Sequence, residues 1–327
     1  GKDLISSSLF LSTIPLLICI LTIALVESDD GFKFITHFIA IFALWLSFQT
    51  IAICLDLYLT TGSLSKGLII TSVGGSNFIA AHLIVCFIFL LLSRKQLRLP
   101  YFLFCIIITF IAIILTISFG AIITLLIVLS LIAIFQSKPG SMQPLLFILG
   151  ILGVIVFLIY VIFLGTTLIN SENTIIVNFM MKIQYFIDGN YTRLFSSRDI
   201  IYRQSIDTIL ERPIFGYDGF LIYKGVETRT HNWILDILIS KGIVGAVIFI
   251  IMMGYSLRKI HHSSILKPEL TPIKYALFTG LIHGMVEPNL FSRTFDFLWW
   301  VLIGIAIGEI MKMNQVDLII NDNIEVS

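Results

Sequence analysis

The feature that most constrains this chain is the recurrence of apolar stretches close to 20 residues long. A helix needs about 20 apolar residues to cross the hydrocarbon of a bilayer. Nine segments meet that description, near 8–26, 34–56, 77–92, 100–118, 119–136, 144–169, 233–257, 273–291 and 296–313. Apolar residues make up 57% of the chain and charged residues only 13%, and the mean hydropathy is +1.01. Soluble domains carry about 25% charged residues. The expected fold is therefore all-α, a polytopic integral membrane helix bundle of about nine spans. Pro100 and Pro144 stand in the first turns of their helices, where a missing N–H costs least. The fourth and fifth spans nearly merge, with a break expected near 118–120.

The ionisable groups are unevenly spread. Between 170 and 231 lie seven basic residues (Lys182, Arg193, Arg198, Arg203, Arg212, Lys224, Arg229) and seven acidic ones, from chain totals of 21 and 20. A membrane protein that gathers its charges in one loop does its work there. The expected organisation is N-terminal spans over 1–169, a structured loop with short amphipathic helices over 170–232, C-terminal spans over 233–313 and a polar tail over 314–327. Arg94, Lys95 and Arg98, then Lys138, then Arg258, Lys259, Lys267 and Lys274 occupy alternate connections. By the positive-inside rule these are cytoplasmic, and the 170–232 loop faces the opposite side. The net charge of +1 and the lack of a basic tract give no support to nucleic-acid binding.

Within the loop, Ser196 or Ser197 can cap a helix that begins at Arg198 and ends before Pro213. Arg203 is expected to pair with Asp199 or Asp207 on that helix. A second short helix is expected over 179–187, and a turn over 213–217. Arg198 sits where its fork of donors adds to free backbone N–H groups, a combination that suits phosphate. An interfacial arginine reaching to lipid headgroups is the competing reading. Arg193, ahead of the cap, can join Arg198. His231 opens the helix that re-enters the bilayer, beside Asn232 and Trp233. There it fits either a general base at a water boundary or an anchoring interfacial residue. Glu287, Arg293 and Asp296 flank the last loop on the same side and could complete a site or mark its rim. His37, His82 and His283 read as helix-packing residues. The four cysteines lie in or at the ends of apolar runs and read as buried thiols. No HxxxH, HExxH or CxxC occurs, so neither a metal nor another cofactor is expected.

Several pieces in order, namely Ser197-Arg198, Ile201-Tyr202, Arg212-Pro213-Ile214-Phe215-Gly216-Tyr217, His231-Asn232 and Lys241-Gly242-Ile243-Val244-Gly245, resemble the pattern of the O-antigen ligase and polymerase superfamily. They cover about 50 residues. Residues 74–81, GGSNFIAA, resemble that family's Asn-x-x-Ala helix entry. Two departures stand out. Phe119 lies in Ser118-Phe119-Gly120, where many members have Ser-Arg-Gly, and Asp218 follows Tyr217 where Gly-x-Gly is common.

The resemblance implies a metal-independent glycosyltransferase of the GT-C type in the bacterial inner membrane, with its site on the periplasmic face. The donor would be an oligosaccharide on undecaprenyl diphosphate and the acceptor a second glycan. A membrane lipid and a chain-length regulator protein would be the other partners. Catalysis would rest on His231 and Arg198, and substrate binding on Arg193, Arg203, Asn232, Tyr217 and Arg229. Polymerisation of repeat units is the first reading, because Phe119 departs from the ligase-like arginine. Transfer to lipid A–core or another acceptor is the second. A transporter is the rival of another class, but transporters place ionisable groups near the midplane and show internal repeats.

Overall fold

The computed structural model describes residues 2–28, 30–62, 64–136, 181, 184, 185, 187–189, 198–217, 219, 221–223, 225–287 and 293–325. Their helices are α1 (Lys2–Glu27), α2 (Gly31–Thr61), α3 (Ser76–Leu92), α4 (Leu99–Leu115), α5 (Phe119–Gln136), α6 (Arg198–Glu211), α7 (Trp233–Leu266), α8 (Leu270–Gly284) and α9 (Arg293–Glu325). Two short 3-10 helices (Lys66–Leu68 and Arg94–Gln96) and two antiparallel hairpins accompany them: β1 (Ile70–Thr71) with β2 (Gly74–Gly75), and β3 (Leu221–Tyr223) with β4 (Val226–Thr228). Helices occupy eight of the nine segments expected to span, and 144–169 lies outside the described residues. Helices α2 and α7 are long and apolar enough to cross a bilayer alone. The helix expected over 179–187 falls largely outside the described residues, as do the capping serines.

Helix α3 is the axis of the bundle. Its side chains from Ile79 to Leu90 are all buried, so it is apolar on every face and surrounded on every face. It packs against α2, α4, α8 and α5. The outer helices show the reverse. Phe34, Phe38, Ile41, Trp45 and Phe48 of α2 stand exposed along one side, a surface too apolar for water and suited to lipid chains. Helix α1 runs along α9, and the approach is set by Gly304 and Gly308. A Cβ on Gly304 would lie 2.8 Å from the Cys19 carbonyl oxygen. This is the small-xxx-small contact by which membrane helices come close without a hydrophobic driving force.

The break near 118–120 is confirmed. Helix α4 ends at Leu115, and Ile117 takes φ 54° before α5 begins. Three differences from the sequence expectation bear on the site and the chain's end. The span expected over 273–291 ends at Gly284, so Glu287 falls in the turn beyond it. Helix α9 continues through the polar tail to Glu325. The span expected to run unbroken over 233–257 is interrupted at Gly242, with φ 65° and ψ −168°.

That interruption is filled by the 213–217 turn. The Tyr217 N–H donates to the Ile239 carbonyl at 2.8 Å, the Ile243 N–H to Pro213 at 2.8 Å and the Val244 N–H to Ile214 at 3.2 Å. In a continuous helix Ile243 would bond to Ile239 and Val244 to Ser240. The turn takes over the Ile239 carbonyl and the Ile243 and Val244 N–H groups. The approach is backbone on backbone. A Cβ on Gly242 would meet the Ile214 oxygen at 2.3 Å, and one on Gly216 would meet the Ile239 oxygen at 2.5 Å.

Gly242→Ala is therefore expected to lower folded yield and melting temperature in detergent, by at least ~1–2 kcal/mol from the left-handed backbone alone. Gly254→Ala, in the same helix and facing open space, is expected to leave both unchanged. Equal behaviour of the two variants in thermal unfolding would refute the docked-turn account.

Candidate functional site

Glu287 gathers the site. It is 2% exposed and follows the last turn of α8, its N–H bonded to the His283 carbonyl at 3.0 Å. The Arg198 Nη2 donates to its Oε1 at 2.5 Å. The Asn77 Nδ2 donates to its Oε2 at 2.6 Å, and the His231 Nδ1 lies 3.3 Å from the same oxygen. Ser118 Oγ donates to Asn77 Oδ1 at 3.1 Å, which fixes the amide with its NH₂ toward the carboxylate. Ser76 Oγ bonds to the Thr116 carbonyl. One carboxylate thus joins the start of α6, the entry to α7, the first turn of α3 and the α4–α5 break.

Each contributor is held by its own local structure. Arg198 is the first residue of α6. His231 takes φ 61°, an uncommon conformation for a residue with a Cβ. Its neighbours fix it there. Asn232 caps α7 through bonds from the Ile234 and Leu235 N–H groups, and its amide donates to the Met285 carbonyl at 3.2 Å. The Thr230 N–H donates to Asp236 Oδ1 at 2.9 Å, and Thr230 Oγ1 to the Asn232 carbonyl at 2.8 Å. Trp233 Nε1 donates to the Leu281 carbonyl at 3.1 Å. The α7 entry is pinned to the end of α8, and that pinning places His231 on Glu287. Strain held in this way collects at functional sites.

Burial pushes the Glu287 carboxyl up, but the hydrogen bond with His231 and the charge of Arg198 outweigh it and hold the group at about 2. The site therefore keeps a buried anion, balanced by a guanidinium. Since a carboxylate only accepts, the His231 nitrogen facing it carries a proton, which leaves Nε2 of a neutral ring as an acceptor. Tyr202, one turn beyond Arg198, is pushed up by burial although Arg198 opposes this, so its phenol stays protonated. Gly120 leaves room for the cluster, since a Cβ there would sit 3.6 Å from Glu287 Cγ and 3.1 Å from Val286 Cγ2.

Of the residues singled out from sequence, Arg198 and His231 meet here. Arg193 lies outside the described residues. Arg203 is exposed on α6 and forms no pair with Asp199 or Asp207; an exposed pair gains little against the entropy of two long side chains. Tyr217 bonds through its hydroxyl to Glu211 and carries Arg212 over its ring at 4.7 Å, which directs it to the docked turn. Asn232 is spent on capping. Arg229 lies 3.5 Å from Asp236 and supports the Thr230 turn. Asp236 serves that turn and makes no hydrogen bond to His231. Glu287 was legible only as a residue flanking a loop. Asn77 and Ser118 appeared in recognised motifs but carried no role. Among the described residues no group of three or more His, Cys, Asp or Glu is placed to hold a metal.

Comparison with known proteins agrees with the motif resemblance. Residues 103–250 match the O-antigen ligase family, Wzy_C. A "putative polysaccharide ligase" of Rickettsia conorii is 28% identical over 144 residues, which is 38% of this chain and 33% of that protein. One of the same description from Rickettsia prowazekii is 29% identical over 145 residues, covering 38% and 34%. The aligned part thus spans about a third of the length of these relatives. The family match takes in Ser118, Arg198, His231 and Gly242 and stops short of Glu287.

The depressed Glu287 sets a pH window. A carboxyl at about 2 in the fold, against 4.5 ordinarily, contributes stability that is complete above pH 4.5 and lost as pH falls toward 2. Glu287→Gln removes this term. Thermal unfolding in detergent at pH 7 and pH 3 should show a larger fall in melting temperature for the wild type than for Glu287→Gln. Parallel falls would contradict the buried anion.

Proposed function

With an O-antigen ligase-type stretch across the middle of the chain, we propose that the protein transfers a glycan from a lipid diphosphate to an acceptor sugar. It does so at the periplasmic face of a bacterial inner membrane, without a metal. The observation that carries this reading is the convergence of Arg198 and His231 on one buried carboxylate at one end of an apolar helix bundle. The basic ends of α3, α7 and α8 lie at the other end, where the positive-inside rule puts the cytoplasm.

In this reading the acceptor hydroxyl attacks the anomeric carbon of the donor. The new carbon–oxygen bond forms as the bond from that carbon to the diphosphate oxygen breaks, and the lipid diphosphate departs with the electron pair. The hydroxyl proton passes to His231 Nε2. Glu287 holds the ring in the required tautomer and balances the imidazolium that results, as the carboxylate of a catalytic triad does. Charge grows on the leaving diphosphate, and a guanidinium fork with donors beyond the Nη2 spent on Glu287 stabilises it. Asn77 and Ser118 keep the carboxylate still. Energy comes from the diphosphate ester, so no nucleotide is needed.

Two acceptors fit. Phe119 in place of the ligase-like arginine favours a growing repeat-unit chain, and thus a polymerase. The Rickettsia relatives, described as ligases, favour transfer of a finished glycan to lipid A–core or another acceptor. About nine spans and a periplasmic loop over 170–232 complete the proposed topology.

The test is complementation of a strain lacking this protein, with glycan profiles and membrane levels read together. His231→Gln should insert normally and lose ~10²–10⁴ in transfer rate, the usual contribution of a general base. Arg198→Lys keeps the charge, loses the fork and should also fail. A polymerase defect leaves single repeat units on the carrier or acceptor, and a ligase defect leaves full-length chains on the carrier lipid. Wild-type transfer by His231→Gln would remove the proposed base.

A further inference from the structure

Four helices that frame the Glu287 site also frame a cavity at their other ends. The first turn of α3, the start of α5, the entry to α7 and the end of α8 meet at Glu287. The end of α3, the end of α5, the end of α7 and the start of α8 line a cavity of about 1020 Å³. Helix α3 has 17 residues, so the two places stand about 26 Å apart along it. That is close to the thickness of a bilayer's hydrocarbon.

The cavity combines two chemistries. Phe32, Leu131, Phe135 and Leu257 give it apolar walls, and Arg94, Lys95, Arg258 and Lys274 bring four cations against one carboxylate, Glu269. None of the four cations has a salt-bridge partner among the described residues. The Lys274 ammonium instead lies 3.4 Å from His261 Nδ1 and 4.7 Å from the centre of the Tyr275 ring. At the cavity wall Ser93 closes α3. Ser93 is 3% exposed, and its hydroxyl has no hydrogen-bond partner among the described residues. Phe135 is 73% exposed, which continues the apolar wall out to the lipid-facing surface.

We propose that this cavity seats the phosphate headgroup of an anionic membrane lipid from the leaflet opposite the Glu287 site. The guanidinium groups of Arg94 and Arg258 take the phosphate oxygens, and the acyl chains leave past Phe135. Four cations facing one acid in an apolar recess select a group that is anionic at one end and apolar at the other. A free anion would leave the walls uncovered, and a zwitterionic lipid would bring its own ammonium against the four cations. The level of the cavity is where basic residues meet anionic headgroups, each worth about a few-fold in affinity. The proposal is independent of the glycan-transfer reading, because it uses no residue of that site.

The full chain, purified in a neutral detergent, is titrated with short-chain phosphatidylglycerol and, in parallel, with phosphatidylcholine of the same chain length. Retained lipid is counted by native mass spectrometry. Phosphatidylglycerol is expected to bind about tenfold or more tightly than phosphatidylcholine. Arg94→Gln combined with Arg258→Gln is expected to remove about tenfold of that affinity, while Arg203→Gln, which removes an exposed cation at the other end, changes it less than about twofold. Inorganic phosphate at the same concentration as the lipid is expected not to compete. Equal binding of the two lipids, full affinity in the double variant or displacement by inorganic phosphate would each overturn the proposal. The lipid selectivity of the unaltered protein decides the matter even if the double variant folds poorly.

Discussion

Everything at the working end of this protein depends on one buried carboxylate. A glutamate at 2% exposure is costly unless its charge is met, and here it is met by Arg198, Asn77 and His231 from three separate parts of the chain. Remove the carboxylate and the guanidinium loses its counter-charge, the imidazole its orienting acceptor and the amide its purpose. The same group explains why the first residue of α6, a long way from α8 in sequence, reaches the turn beyond the end of it. Electrostatic need and chain topology are solved by one side chain.

The second requirement is a rigid mount for the two groups that Glu287 holds. Membrane helices offer precise positions, but a straight helix offers no place for an external turn to lock. Gly242 opens α7, and the 213–217 turn enters the gap and takes over its hydrogen bonds. Because α6 leads directly into that turn, Arg198 is fixed through α6 and His231 through the short first part of α7. The positive-φ residues Ile117 and His231 lie on either side of the cluster. Each is held by side chains or backbone from another helix, so the strain sits where geometry has to be defended.

Much of this was legible in the chain itself, and what was missed has identifiable causes. Apolar periods of about 20 residues announced the helices because lipid leaves the backbone few alternatives. The α6 start at Arg198 and the break at 118–120 followed from local chemistry. The interruption at Gly242 did not, since a lone glycine in an apolar run reads as a tolerated helix residue, and its meaning lies in the backbone of a turn some 25 residues earlier. The motif pieces 212–217 and 241–245 lie some 25 residues apart in sequence, and only the fold shows that they are two halves of one joint. Glu287 escaped because it is an isolated acid at a helix end, with partners 56, 89 and 210 residues away. Arg203 stands exposed on α6, and Tyr217 bonds through its hydroxyl to Glu211 beside the docked turn.

The measurement that most directly tests the account is a double-mutant cycle between Arg198 and Glu287 on the rate of the proposed glycan transfer. Arg198→Ala, Glu287→Ala and the combined variant would be compared at matched membrane levels. If the two side chains act as one device, the combined variant is about as slow as the slower single variant, with a coupling of roughly 2 kcal/mol or more, since each loss already removes what the other supports. If the two losses simply multiply, the pair does not work as a unit and Glu287 is not the centre of the site.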